Sequence, residues 1–393
     1  MKRKDKAVAK KEECPKRHPE KYLCGKRILP PSIKVRTSIQ ELVEQTMLAF
    51  NAGRLRAACL LLKEKYSKPD VTVGMSLAGA LTPAGLGPSC IIPLMKHGFV
   101  DWIVATGAIM YHDIHFAFDL SLYQGSPKMD DAELRKNGII RIYDVVGDYY
   151  NVLLKTDQEL RKIFTRREFQ KEMGTQEFYY LLGKVLEEYP GQASSILVAA
   201  YRLGIPVFTS SPGDSTIGMN IAGLELLNPE KFRLRINPSI DINESTAIVL
   251  DAKISGKSGV ILIGGGSPKN FMLQTEPQIQ EVLQIQEKGH DYDINITDAR
   301  PDTGGLSGAT PSEAVSWGKI DPTKLEESVV CYGDITAYFP IIVSYVLNTT
   351  AKKIPKKLYL QRKELFEKLR IAYFENNPET NELEKLLAKN KMR

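Results

Sequence analysis

The chain has 393 residues, of which 43% are hydrophobic and 25% charged, and a formal net charge of +6. That is the composition of a folded domain able to bury a full core, as one large α/β domain or two smaller ones, and not of a disordered or collagenous chain. There is no long uncharged apolar run, and the N-terminus opens on lysines and glutamates, so neither membrane spanning nor secretion is expected.

Five cysteines, Cys14, Cys24, Cys59, Cys90 and Cys331, are scattered, odd in number and without a CxxC pair. This argues against a disulfide framework or a zinc site and favours a reducing, cytoplasmic setting. Residues 1–28 hold eleven Lys/Arg against four Asp/Glu, so the positive excess lies in a basic N-terminal tail. A solvated, mobile extension is expected there, and the near-neutral body calls for no nucleic-acid partner.

Beyond the tail, residues 38–66 place Leu42, Met47, Leu48, Leu55, Ala58, Leu61 and Leu62 at helical spacing, which predicts an amphipathic helix or helical pair. Buried strands are predicted at 71–76, 102–107, 195–200, 207–209, 247–250, 259–263, 294–296 and 329–332, several of them followed by small residues. Helical stretches are predicted at 160–188 and 277–289. Residues 124–188 read as a largely helical insertion and 351–393 as a charged helical C-terminal tail. Strands alternating with helices imply an α/β fold with a doubly wound parallel sheet and helices on both faces, over residues 29–350. Ligands in such sheets bind beyond the carboxyl ends of the strands.

Several strand ends carry candidate chemistry. Gly264-Gly265-Gly266 follows a buried run and either makes a tight turn or lets a ligand phosphate approach the backbone. The segments Thr82-Pro83-Ala84-Gly85 and Thr106-Gly107 repeat the pattern, and together the three suggest a dinucleotide pocket. Asp214, Asp298 and Asp334 each suit either a ribose hydroxyl or a helix cap. His112 and His115 could share a helix face, but no second cluster completes a metal site. Glu313, Trp317 and Lys319 set an acid, an indole and an amine within seven residues. A carboxylate attracts an ammonium, an indole face adds a cation–π contact, and a desolvated lysine can attack an imine carbon.

The run SGATPSEAVSWGKI, residues 307–320, resembles the active-site segment of deoxyhypusine synthases, whose catalytic lysine follows Ser-Trp-Gly. Lys319 falls on that lysine. The resemblance continues through GVILIGGGSPKN (259–270), NITDARPDTGG (295–305) and CYGDITAYFPII (331–342), and more loosely through 71–113. It implies a Rossmann-like domain over 29–350 that binds NAD without the usual glycine fingerprint. The implied cofactor contacts are Thr82, Ala84, Gly85, Thr106, Gly107, Asp214, Gly265, Asp298, Ala299 and Asp334, and the implied substrate contacts are Glu313, Trp317, Asn270 and His112.

The resemblance further implies a homotetrameric transferase that moves an aminobutyl group from spermidine through a lysine imine to an acceptor amine. The acceptor is a lysine of a translation-factor protein, or a small diamine such as putrescine, which would give homospermidine. A catalytically silent subunit of an active paralogue is the rival reading. Departures bear on the substrate: Asn270 stands where the family has a histidine, Met219 and Leu306 stand where it has aspartates, and Asp298 stands where threonine is common. Asp293, Asp302 and Asp113 are the candidate replacement acids.

Overall fold

The computed structural model describes residues 21–390 except 24 and 26. Most of the predicted basic tail therefore lies outside the described residues. Six strands, β1 (Val71–Leu77), β2 (Trp102–Ala105), β3 (Val207–Thr209), β4 (Lys257–Ile263), β5 (Tyr292–Thr297) and β6 (Ser328–Tyr332), form one sheet. Every pairing is parallel and the order is β3-β2-β1-β4-β5-β6. Strand order reverses between β1 and β4, which opens a crevice at their carboxyl ends.

The principal helices are α1 (Phe50–Leu61), α2 (Gly107–Ala117), α3 (Ile196–Leu203), α4 (Thr216–Leu227), α5 (Pro238–Ser255), α6 (Gly266–Leu273), α7 (Pro311–Ser316), α8 (Ile335–Thr349) and α9 (Leu358–Asn376). Side chains alternate across a strand, so each strand feeds two cores. Ile103, Ile261 and Ile294 join Ala58, Ile114, Leu197 and Ile342 in one layer. Trp102, Val260 and Leu262 join Val249, Met272 and Leu365 in the other. The fold is thus the doubly wound α/β sandwich that the strand–helix alternation predicts.

Two predicted strands are helical. Residues 195–200 open α3, where Ser195 accepts from the backbone N–H of Val198. Residues 247–250 lie inside α5, which starts at the Asn237 cap with Pro238 in its first turn. Both runs are apolar on all sides because the helices are deeply covered, and a short apolar run does not distinguish a buried strand from a buried helix. The stretch 277–289 is helical only as far as Val282. Between 124 and 188, a three-stranded antiparallel sheet (Tyr123–Gln124, Ile139–Ile142, Val145–Asp148) precedes the helices Lys155–Phe164 and Thr175–Leu186. Among the described residues no helix is long and apolar enough to cross a membrane.

Candidate active site

The position of Lys319 follows from how α7 stops. Thr310 caps the helix by accepting from the Glu313 N–H, and Pro311 occupies the first turn, where its missing N–H costs nothing. At the other end Gly318 takes a left-handed conformation, φ 66°. The Gly318 N–H donates to Val315 O and the Lys319 N–H to Ala314 O, the paired bonds of a Schellman stop. Gln280 Nε2 donates to Gly318 O at 2.7 Å. The chain then pairs with His290, whose N–H donates to Lys319 O at 2.9 Å. Lys319 is held by its backbone on both sides.

Its side chain lies in a cavity of about 320 Å³ lined by residues of α6, β5 and α7. Lys319 Nζ donates to Asn270 Oδ1 at 3.0 Å and stands 5.7 Å from the centre of the Trp317 ring. Burial pushes the ammonium below the usual lysine range, while the Glu313 and Glu281 carboxylates pull it back. An amide oxygen as nearest partner brings no countercharge to the ammonium, so losing the proton costs less here than for a lysine in water. Lys269, a second lysine in this wall, is buried and donates to Ala309 O at 2.7 Å and Ser307 O at 3.3 Å. It ties down the loop that leads into α7.

A second cavity, of about 460 Å³, opens at the crevice between the carboxyl ends of β1 and β4. Gly79 and Gly264-Gly265-Gly266 line it with Thr106, Gly107, Asp214, Thr297, Asp298, Ala299 and Ser307. A Cβ at Gly79 or Gly266 would meet nothing within 4 Å, so these glycines leave room at the crevice wall that a side chain would occupy. The N-terminus of α2 is at its edge, and Asp214 and Asp298 are exposed there as acceptors. Backbone N–H groups beside a roomy wall, with carboxylates for hydroxyls, fit a dinucleotide. Ser307 borders this cavity and its Oγ accepts from the Gly266 N–H at 3.0 Å, while Leu306, Ala309 and Thr310 border the lysine cavity, so the loop before α7 joins the two.

Of the residues expected to touch cofactor, Thr106, Gly107, Asp214, Gly265, Asp298 and Ala299 line this crevice. Thr82, Ala84 and Gly85 do not. Thr82 is buried and donates to Ile109 O. Asp334 caps α8 by accepting from the Ala337 N–H at 3.1 Å, and its neighbour Ile335 reaches the cavity instead. Asn270, Glu313, Trp317 and Lys319 share the lysine cavity. His112 borders neither cavity: it sits on α2 with its ring 5.2 Å from that of His115, packed toward the core because α2 turns that side inward.

Two of the three candidate replacement acids are engaged elsewhere. Asp113 is buried and accepts from Ser195 Oγ and the Ile196 and Leu197 N–H groups, at 2.7, 2.7 and 3.1 Å. It closes the start of α3. Asp302 forms an exposed ion pair with Arg300. Asp293 alone of the three lines the lysine cavity. Asn295, Lys269 and Ser307 were not singled out from sequence, although the Asp-Ile-Asn-Ile-Thr alternation in a buried strand signals a polar face that needs an occupant.

A family model described as deoxyhypusine synthase matches residues 41–346. The chain is 51% identical over 354 residues to a "Deoxyhypusine synthase-like protein" of Nostoc sp., covering 89% of this chain and 91% of that protein. It is 52% identical over 356 residues to a protein of the same description from Thermosynechococcus vestitus, covering 88% of each. A "Probable deoxyhypusine synthase 2" of Methanosarcina mazei is 36% identical over 358 residues, covering 88% of this chain and 97% of that protein.

Proposed function

The chain belongs to the deoxyhypusine synthase family, and from that premise we propose an NAD-dependent transferase that carries an aminobutyl group from spermidine, or a related polyamine, through a Lys319 imine to an acceptor amine. The observation that carries this reading is the setting of Lys319. Its amine is half-buried, hydrogen-bonded to an amide and not an acid, beside an indole, in a cavity joined by the Ser307 loop to a glycine-walled crevice.

Residues Thr106, Gly107, Asp214, Gly265, Asp298 and Ala299 would hold NAD, which when bound supplies hydride exchange with the carbon next to the substrate's secondary amine. The chain's own groups then do the rest. Lys319 must lose its proton to attack an imine carbon, and burial favours that loss. Asn270 Oδ1 holds Nζ in place. Trp317 covers the nucleophile against water, and Glu313 orients an ammonium at the cavity mouth. Asn270 has no titratable group, so protons leave Lys319 through water or a neighbouring acid and not through that residue.

A small diamine acceptor such as putrescine is the reading favoured over a protein lysine, because the acids expected at positions 219 and 306 are Met219 and Leu306. The identity to proteins described as synthase-like, above that to a probable synthase, supports a paralogue with altered substrate. A homotetramer acting in the cytoplasm completes the proposal. Incubation of the protein with NAD and spermidine, followed by borohydride and peptide mass spectrometry, tests it: an aminobutyl adduct on Lys319 is expected. A chain that binds NAD and polyamine but yields no adduct is a silent subunit, and the transferase reading falls.

A further inference from the structure

Asp293 and Asn295 stand two residues apart on β5, so both occupy the face opposite Ile294 and Ile296. That face is buried: Asp293 is 2% and Asn295 1% exposed, and both line the lysine cavity. Neither Asp293 Oδ1 nor Asn295 Oδ1 receives a hydrogen bond among the described residues. A buried carboxylate oxygen with no donor is costly, and such atoms are normally satisfied by some partner. The adjacent cation, Lys269, offsets part of that cost through its charge, but its Nζ hydrogen bonds go to the Ser307 and Ala309 carbonyls and none reaches Asp293 among the described residues. Water could donate hydrogens but brings no charge to balance the carboxylate.

The cavity's remaining walls include Leu273, Ala314 and Trp317, which suit methylenes. Leu306, where the resemblance expects an acid, lines the same cavity, so a carboxylate missing at one wall is present at another. Asp293 enters the cavity from β5 and Lys319 from the turn that follows α7. The two groups thus reach one cavity from different elements. We propose that Asp293, with Asn295 beside it, docks a primary ammonium end of the polyamine whose carbon reacts at Lys319. This rests on the transferase reading above and adds where the substrate's terminal charge is held.

The test is calorimetric titration of the full-length protein, with NAD present, using spermidine and its two monoacetyl derivatives, each lacking one primary ammonium. Asp293→Asn keeps the shape and removes the charge. Spermidine should bind that variant roughly tenfold or more weakly, as loss of a charge-assisted contact requires. One monoacetyl derivative should bind wild type with a similar loss and be indifferent to Asp293→Asn. Should the variant not fold, equal affinity of wild type for all three ligands still overturns the inference, since a docking acid demands that one acetylated end cost at least tenfold. Equal spermidine affinity in wild type and variant overturns the inference, as does equal loss for all three ligands or no polyamine binding at all. Coupling to Asp293 without any borohydride-trapped adduct on Lys319 leaves the inference standing and overturns the transferase reading alone.

Discussion

At the scale of single residues, Lys319 and Asp293 lead to opposite pH behaviours. Lys319→Arg keeps a cation but removes a group that can lose its proton, so the borohydride-trapped adduct should vanish while NAD affinity, measured by titration, changes little. In wild type, adduct formation should rise with pH toward the lowered Lys319 pKa, and a rate independent of pH would contradict a free-amine nucleophile. Asp293 is different because burial raises its carboxyl from 3.8 to about 7, with Lys269 pulling the other way. An acid raised in the folded state favours folding while protonated, and that advantage is lost as pH rises through the raised value. Asp293→Asn should therefore melt above wild type at pH 8 without ligand, with the difference narrowing as pH falls below about 7 toward 4. Spermidine at pH 8 should narrow it too, by adding a countercharge to that of Lys269.

At the scale of elements, the stop at the end of α7 is the vulnerable part. Gly318 has a positive φ, and a Cβ there would come within 2.5 Å of Gln280 Oε1. Gly318→Ala should cost about 1–3 kcal/mol in local strain and, by shifting Nζ away from Asn270, slow adduct formation roughly a hundredfold. Loss of melting temperature without loss of adduct would mean that Lys319 is not positioned by this turn. Much of this element was readable in advance: Thr310, Pro311 and Gly318 are cap, first-turn and stop residues in their usual order. Strands β1 and β4 were readable as well, since apolar runs ending in small residues are distinctive. The runs at 195–200 and 247–250 were not, because the covering layers that make α3 and α5 apolar all round are not visible in one sequence. The sharing of one site by Asn270 and Lys319 was implied by the resemblance, whereas the direct bond between their side chains was not, because it depends on how α6 and α7 meet.

At the scale of the whole molecule, α4 exposes Met219, Ala222, Gly223 and Leu226 along one side, with Leu226 86% and Leu227 79% exposed. An apolar stripe of this kind marks a contact surface. Sedimentation equilibrium should give a tetramer, and Leu226→Glu with Leu227→Glu should yield a smaller species. An unchanged tetramer would place the interface elsewhere. Trp317 is 59% exposed in the single chain, so a subunit packed near it would also close the lysine cavity, and the dissociated variant should lose adduct formation along with assembly.

The placement of β5 between two bonded neighbours has a metric consequence. The strand is bonded to β4 on one side and β6 on the other, and it carries Asp293 and Asn295 in one cavity and Thr297 in the other. Side chains on one face of a strand are spaced about 6.6 Å apart. A docking carboxylate on such a strand can be relocated only in steps of that size, which is several methylenes long. The sheet thus works as a graduated rule for alkyl chains: moving the acid to the neighbouring notch, by Asp293→Asn with Asn295→Asp, changes which diamine length spans the gap to Lys319 in one jump, with no intermediate setting.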